Sequence, residues 1–249
     1  MLNLGFGDWD LRACVLENRK RFFHAIGADN LHVAALRQIH SDLAHRASSD
    51  QASREQAPAG DALFASEPGV LLTVQVADCI PILLVDTERR AIAAIHAGWR
   101  GTLGRVAAKT VGRMRMEFGI RPEDVIAALG PGIGRCCYEV GQDLAREFDS
   151  QFANAREWFD LPSDAAAASE NDASSLPWLT RTPPGHSSTT PRVYLDLLAA
   201  NRAILADAGV PVTQVFSCGL CTACRTDLFF SHRREGVTGR MMAAIGMRE

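Results

Sequence analysis

The sequence lacks the features that would direct a protein into a membrane or onto nucleic acid. No apolar run among its 249 residues approaches the roughly 20 positions of a spanning helix. The first residues also lack the basic-then-apolar pattern of a signal peptide. Its 26 basic and 29 acidic side chains leave a net charge of −3, without a basic run suited to a phosphate backbone. We therefore expect a cytoplasmic protein that binds neither membrane nor nucleic acid.

A paired cysteine framework is also absent. The chain has seven cysteines, an odd number, which together with the lack of a secretion signal favours reduced thiols over disulfides. Most lie in two motifs, the adjacent pair Cys136 and Cys137 and the C-x2-C-x2-C run of Cys218, Cys221 and Cys224. The run suits a structural metal site, to which His232 could add a ligand, or incidental thiols. The adjacent pair is expected to be a packing feature, because neighbouring side chains point apart.

What the sequence does contain is a stretch, residues 76–101, in which two apolar runs flank a polar turn. The runs, residues 80–85 and 91–95, and the polar segment between them predict a hairpin. Cys79 precedes the first strand and His96 follows the second. An antiparallel hairpin therefore brings this thiol and this imidazole to the same end of a sheet. Such a pair suits a catalytic or a metal site.

A candidate anion site follows the hairpin. Residues 97–101 form a turn into a helix predicted over residues 102–118. The free backbone N–H groups at the start of that helix, with Arg100 beside them, suit a bound anion. Arg100 equally suits a cap or an ion pair on the surface. His40 ends a strand predicted over residues 31–39, and this pattern alone assigns it no partner.

The remaining patterns predict further helices, strands and one insertion. Residues 11–26 predict a helix, a second helix ends near residue 148, and residues 193–208 are amphipathic. Strands are predicted over residues 69–76, 125–129, 212–217 and 240–245. Residues 130–134 have the spacing G-x-G-x-G, which predicts a tight turn and not a nucleotide loop. Residues 161–191 have low complexity and predict a flexible surface insertion within a single domain over residues 1–249.

A series of motifs resembles one protein family over nearly the whole chain. The motifs are Gln38-Ile-His-Ser41, Gly60-Asp-Ala-Leu63, Ala77-Asp-Cys-Ile-Pro81, His96-Ala-Gly-Trp-Arg-Gly101, Gly130-Pro-Gly-Ile-Gly-Arg-Cys-Cys-Tyr-Glu-Val140, Cys221-Thr222, Phe230-Ser-His-Arg233 and Thr238-Gly-Arg240. On these motifs the chain is identified as a member of the laccase-domain, polyphenol-oxidase-like (YfiH-like) family. Members of this family are described as purine nucleoside phosphorylases.

The resemblance implies a fold and a metal site. The family fold is a four-layer α/β/β/α sandwich with mixed sheets, in the α/β class. The family's zinc ligands correspond here to His40, Cys79 and His96, which are then also the catalytic residues. Three protein ligands leave the fourth position of Zn2+ open for water or substrate, as in catalytic zinc sites.

The activity implied by the resemblance is phosphorolysis of purine nucleosides. The implied substrates are phosphate and inosine, adenosine, guanosine or methylthioadenosine, which give the free base and a ribose 1-phosphate, accompanied by adenosine deamination. Arg100 and Gly101 are then candidates for binding phosphate, and Ser231 is a candidate for binding substrate. The family usually has a Gly-Gly-containing strand before the Leu-Asn-Leu-Gly motif with which this sequence begins. That difference indicates a truncated reading frame or a misassigned start.

Other functions stay open on the sequence. A metal-free hydrolase or deamidase would use Cys79 as nucleophile and His96 as base, and it would leave His40 without a role. Copper-dependent oxidation of phenols suits a His2Cys donor set, but multicopper catalysis needs many more than the seven histidines present. We therefore expect zinc in preference to copper. A role in editing peptidoglycan precursors is a further alternative. The sequence does not indicate an oligomeric state.

Overall fold

The computed structural model describes residues 2–7, 10–49, 57–88, 91–160 and 192–248. The predicted insertion over residues 161–191 therefore lies outside the described residues. The α-helices in the described ranges are Arg12–Ala25 (α1), Trp99–Leu103 (α2), Val106–Phe118 (α3), Gln142–Gln151 (α4), Leu197–Asp207 (α5) and His232–Glu235 (α6). The strands are His32–Ala34 (β1), Ala44–Arg46 (β2), Ala62–Ala65 (β3), Val70–Val76 (β4), Ile80–Asp86 (β5), Ala91–Ala97 (β6), Val125–Leu129 (β7), Glu139–Val140 (β8), Phe159–Asp160 (β9), Val193–Leu195 (β10), Val215–Ser217 (β11) and Met241–Gly246 (β12).

A six-stranded mixed sheet with the order β11-β7-β5-β6-β3-β2 positions the predicted hairpin. The outermost pair at each edge is parallel, and the inner pairs are antiparallel. Strands β5 and β6 form the hairpin, with Ile80 opposite Ala97 and Pro81 opposite His96. Cys79 and His96 therefore lie at the same end of this sheet, as the sequence pattern predicts.

Apolar side chains cover both faces of this sheet. Along β3, Phe64 joins the core beneath helices α3 and α5, whereas Leu63 joins the core against a second sheet. This alternation follows from the two-residue period of a strand. The second sheet has the order β1-β4-β12 and contributes Leu72 and Val74. Because β6 is covered on both faces, all seven of its residues are buried, which explains its continuous apolar sequence.

The outer helix α1 is attached on the side of the second sheet. The side chains of Asn18 and Arg19 donate hydrogen bonds to the carbonyl oxygens of Asn3 and Leu4, at 3.0 Å and 2.7 Å. The backbone N–H of Leu4 in turn donates to the carbonyl oxygen of Arg240, next to β12.

The mixed sheets and the helices packed on them confirm the predicted α/β class. None of the helices in the described ranges is long and apolar enough to cross a membrane.

Several predicted element boundaries are wrong. The helix predicted over residues 102–118 starts earlier and is two helices, α2 and α3, because Arg105 between them has a left-handed conformation with φ of 59°. The segment over residues 193–208 is β10 followed by α5, and the Asp196 side chain caps that helix. The strand predicted over residues 31–39 ends at Ala34. The strand predicted over residues 212–217 begins with the 3-10 helix Val212–Gln214.

Candidate metal centre

Three potential ligands from different parts of the chain meet at one end of the six-stranded sheet. His96 lies in β6, Cys79 immediately precedes β5, and His40 lies in the loop between β1 and β2. One ligand atom from each lies within 4.8 Å of the others. The two imidazole rings are 4.9 Å apart between centroids, at an interplanar angle of 77°. The structure therefore brings together the three residues that the resemblance implies as zinc ligands.

A buried carboxylate, Asp61, orients two of these residues. Its Oδ1 accepts hydrogen bonds from Nδ1–H of His96 at 2.8 Å and from the backbone N–H of His40 at 3.0 Å. Its Oδ2 accepts from the backbone N–H and the hydroxyl of Ser41, at 2.5 Å and 2.7 Å. With Nδ1 of His96 held as a donor, Nε2 is left free to bind a metal, a common arrangement around metal-bound histidine.

Two motif residues have roles that their sequence positions do not reveal. The side-chain amide of Gln38 donates to the carbonyl oxygen of Gln75 and accepts from its N–H, both at 2.8 Å. These bonds fix the segment that precedes His40 against β4. At Gly98, an added Cβ would lie 2.9 Å from Sγ of Cys79 and 3.1 Å from Cδ2 of His40. Glycine at this position therefore leaves space beside the potential ligands.

The backbone is strained at two positions in the group. His40 has a φ of 58° and Asp78 a φ of 89°, a region that costs non-glycine residues about 1–3 kcal/mol. Asp61 restrains the first position. At the second, the Asp78 carboxylate accepts from the Thr222 hydroxyl at 2.6 Å and from the Arg233 backbone N–H at 2.7 Å. These contacts fasten the turn that carries Cys79 to the C-terminal part of the chain.

Burial and neighbouring polar groups shift the pKa values of Cys79, His96 and Asp61. Burial favours the neutral thiol and so acts to raise the pKa of Cys79. Hydrogen bonds with His40 and His96 outweigh this effect and lower the pKa to about 6. Burial lowers the pKa of His96, whereas Asp61 and Cys79 raise it to about 9. Burial raises the pKa of Asp61, and hydrogen bonds with His96 and Ser41 lower it to about 2. Near neutral pH these shifts favour a thiolate at Cys79 and an imidazolium at His96, so a cation bound by both side chains would have to displace a proton from His96.

The group lines a cavity of about 590 Å³, a volume within the usual range of small-molecule sites, about 300–1,000 Å³. The wall includes the aromatic side chains Trp99 and Tyr138 and the arginines Arg100, Arg233 and Arg240. The guanidinium of Arg100 lies 4.3 Å from the centroid of the Trp99 ring. Arg100 has no carboxylate partner in the described part of the chain, so its charge is available to a ligand.

Two other predicted site residues, Gly101 and Ser231, are buried and do not line this cavity. A Cβ added at Gly101 would lie 3.1 Å from the carbonyl oxygen of Ser41. The Ser231 hydroxyl accepts from the backbone N–H of Arg234 and caps α6. The helix at whose start the anion site is predicted differs from the expectation, because α2 has only five residues. Any anion binding at this wall would therefore depend on arginine side chains.

Asp61 and Asp78 belong to motifs of the sequence, but the sequence pattern predicts no role for either. Each is an acidic residue next to a buried strand, in Gly-Asp-Ala-Leu and Ala-Asp-Cys-Ile. Isolated carboxylates are seldom fully buried unless their oxygens are bonded. An acidic residue beside a long apolar run was therefore the available signal for both.

Comparisons with known proteins identify a family and relatives of known activity. A family model described as multi-copper polyphenol oxidoreductase laccase matches residues 1–248. The purine nucleoside phosphorylase YlmD of Geobacillus stearothermophilus is 37% identical over 255 residues, covering 100% of this chain and 84% of that protein. An adenosine deaminase from an unknown prokaryotic organism is 35% identical over 247 residues, covering 96% of this chain and 83% of that protein. The crystal structure of the Bacillus licheniformis hypothetical protein YfiH matches with a TM-score of 0.83 and 30% identity, covering 99% of this chain and 86% of that one.

Proposed function

The chain belongs to the multi-copper polyphenol oxidoreductase laccase family, and on this premise we propose that it is a zinc-dependent purine nucleoside phosphorylase that also deaminates adenosine. The observation that carries the proposal is the position of His40, Cys79 and His96 in a cavity wall that also offers aromatic and cationic side chains. The names of the relatives support an enzyme of purine metabolism. The proposed substrates are phosphate and inosine, adenosine, guanosine or methylthioadenosine.

The donor set fits zinc. One thiolate and two imidazoles are ligand types that zinc prefers, and three protein ligands leave a position open for catalysis. Asp61 keeps Nε2 of His96 free, and Gly98 leaves space beside the thiolate. A copper electron-transfer site usually adds a long axial methionine ligand, and no methionine is among the described residues that line the cavity.

The remaining cavity residues fit the other parts of the substrates. Arg100 is proposed to bind phosphate through charge-assisted hydrogen bonds, with Arg233 and Arg240 adding positive charge to the same cavity. The faces of Trp99 and Tyr138 offer stacking surfaces for a purine. A zinc ion bound at the centre would supply Lewis-acid stabilisation of negative charge on a reacting oxygen.

Two reactions can then share the cavity. In phosphorolysis, a phosphate oxygen bonds to C1′ of the ribose, and the bond from C1′ to the purine breaks. The base departs with the electron pair and takes up a proton. In deamination, water replaces phosphate as the nucleophile, adds at C6 of adenosine and releases ammonia. Arg100 is needed for the first reaction, because only that reaction binds phosphate.

The metal-free hydrolase is the alternative that one observation favours. With a pKa of about 6 for Cys79 and about 9 for His96, the pair is a thiolate and an imidazolium near neutral pH. Such a pair resembles an activated cysteine nucleophile and its base. This alternative gives His40 no chemical role and predicts full activity after complete removal of metal by a chelator.

Metal and product analysis of the full chain tests the proposal. We expect inosine to yield hypoxanthine and ribose 1-phosphate in the presence of phosphate, and no product without it. Cys79→Ala should abolish both reactions and lower the zinc content by about one ion per chain. Cys14→Ala, at an exposed thiol of α1, is the matched control. It should leave both reactions and the zinc content unchanged. Cleavage of inosine at the same rate without phosphate, or full activity without metal, would show that the proposal is wrong.

A further inference from the structure

Four cysteines outside the candidate metal centre form a second cluster. Cys136 and Cys137 lie in the loop between β7 and β8, and Cys221 and Cys224 lie in the loop between β11 and α6. Their four Sγ atoms all lie within 4.8 Å of one another. Sγ of Cys224 is 3.4 Å from Sγ of Cys136 and 3.4 Å from Sγ of Cys137.

This arrangement corrects two sequence interpretations. The adjacent thiols of Cys136 and Cys137 do not point apart, since both approach Cys224. The C-x2-C-x2-C run does not act as a unit either, because Cys218 is not a member of the group. Two pairs that are distant in sequence, each from a separate loop, supply the four thiols instead. Structural zinc sites often take four cysteines in two pairs, and Cys221 and Cys224 have the usual C-x2-C spacing, whereas Cys136 and Cys137 are adjacent.

The sulfur spacing matches a single tetrahedral ion. Zinc–sulfur bonds of about 2.3 Å place the sulfurs of a tetrahedral site about 3.8 Å apart. The closest pairs here, at 3.4 Å, lie near that value. They are well beyond the bond of about 2.05 Å in a disulfide. Four thiolates around one ion, with no open position, are typical of a structural zinc site and not of a catalytic one.

Neighbouring groups donate hydrogen bonds to two of the four sulfurs, those of Cys221 and Cys137. The backbone N–H of Gly134 donates to Sγ of Cys221 at 3.1 Å. A guanidinium N–H of Arg234 donates to Sγ of Cys137 at 3.8 Å. An added Cβ at Gly134 would lie 3.3 Å from Sγ of Cys136, so glycine keeps the backbone close to the sulfurs. Such outer donors commonly accompany metal-bound ligands.

We propose that Cys136, Cys137, Cys221 and Cys224 bind a structural zinc ion that fastens together the two loops carrying them. These loops have little regular structure, so an ion that joins them offsets part of the entropy of ordering them. The first loop also carries Ile133 and ends at Tyr138, and both residues line the cavity. The ion would therefore shape one wall of the cavity from outside it. The inference does not depend on the proposed function.

Zinc content of the reduced, full-length protein tests the proposal. We expect about two zinc ions per chain in the wild type and about one in Cys79→Ala. The double variant Cys136→Ser with Cys224→Ser should retain about one zinc ion and unfold at a lower temperature. The matched control is Cys218→Ser, which alters an exposed cysteine of the same run that lies outside the cluster. It should retain both ions.

A second measurement leaves the four cysteines intact and so does not depend on the double variant folding. Cys79→Ala is reconstituted with Co2+, and its visible spectrum then reports the cluster alone. Four thiolate ligands should give intense sulfur-to-cobalt charge-transfer bands, with absorption at longer wavelengths than a site containing one sulfur.

Three results would overturn the inference. The first is Cys79→Ala protein that contains no zinc and shows no thiolate–cobalt bands. The second is equal zinc loss in Cys218→Ser and in the double variant. The third is a disulfide joining Cys224 to Cys136 or Cys137 in protein purified with reductant, found by peptide mapping.

Discussion

Asp61→Asn tests whether one buried carboxylate positions the proposed metal ligands His40 and His96. Both carboxylate oxygens accept hydrogen bonds, Oδ1 from Nδ1–H of His96 and the N–H of His40, and Oδ2 from the N–H and hydroxyl of Ser41. An asparagine amide has only one oxygen. In either orientation, its NH2 group therefore faces at least two donors. The substitution keeps the shape of the side chain but removes the capacity to accept hydrogen bonds at one of its two terminal atoms.

The contacts set the expected magnitude. Loss of the partner that orients a metal-bound histidine typically lowers metal affinity about 10- to 100-fold, or about 1.4–2.7 kcal/mol. Asp61 is fully buried and pairs with a buried histidine. Breaking such a pair typically costs about 3–5 kcal/mol in the free energy of unfolding. We expect Asp61→Asn to weaken zinc binding at the centre about 10- to 100-fold. We also expect it to lower the free energy of unfolding by up to about 3–5 kcal/mol.

Competition with a chromophoric chelator measures the affinity, and chemical denaturation measures the stability. The zinc ion of this centre is identified as the one that Cys79→Ala lacks. Ser41→Ala is the matched control, because it removes one donor to Asp61 and leaves the bond to His96 in place. It should lower stability by about 1 kcal/mol without weakening zinc binding. A folded Asp61→Asn variant with wild-type zinc affinity would refute the reasoning, as would an equal loss of affinity in Ser41→Ala.

The cavity wall and the ligand group give three further expectations. Arg100→Ala should raise the KM for phosphate about 10- to 150-fold, because a charge-assisted contact contributes about 1.5–3 kcal/mol. Adenosine deamination should be less affected in this variant. The control Arg115→Ala, at an exposed arginine, should leave phosphorolysis and deamination unchanged. An equal fall in both reactions for Arg100→Ala would contradict the assignment of Arg100 to phosphate binding. Apparent zinc affinity should rise about tenfold per pH unit between pH 6 and 9, since the His96 proton must leave; a flat titration would contradict this. Gly98→Ala, whose Cβ would meet the Sγ ligand at 2.9 Å, should lose zinc while staying folded. The control Gly112→Ala places its Cβ in open space and should keep its zinc. Retention of zinc by both variants would contradict the argument that glycine is needed at position 98.

The sequence predicts the parts of this protein that depend on local pattern. Alternating and continuous apolar runs identify β4 through β7, and the polar turn between β5 and β6 correctly predicts their pairing. That pairing alone places Cys79 and His96 at one end of the sheet. Only the motif resemblance predicts that His40 joins them. The strand predicted before His40 ends at Ala34, and the segment from there to His40 has no regular structure. Its position depends on the distant contacts of Gln38 and Asp61.

The break between α2 and α3 and the cysteine cluster illustrate what local pattern cannot predict. Arg105 is an ordinary helix former, yet it has a left-handed conformation while its side chain donates to the carbonyl oxygen of Gln151. The four cluster cysteines are separated by more than 80 residues between the pairs. In both cases the contacts join segments that are remote in sequence, and no sequence periodicity indicates them.

Two aspartates show why the centre forms where it does. A buried carboxylate is tolerated only when its oxygens are well bonded, so Asp61 and Asp78 each require donors from other segments. Many of those donors are backbone N–H groups. Nearly every residue type carries one, so the sequence does not indicate which of them will bond to a buried carboxylate. At Asp78 the donors include Thr222, whose neighbour Cys221 belongs to the cysteine cluster. Because Asp78 has a φ of 89° and directly precedes Cys79, its bond to Thr222 joins the loop of the cysteine cluster to the turn that carries the Cys79 thiol.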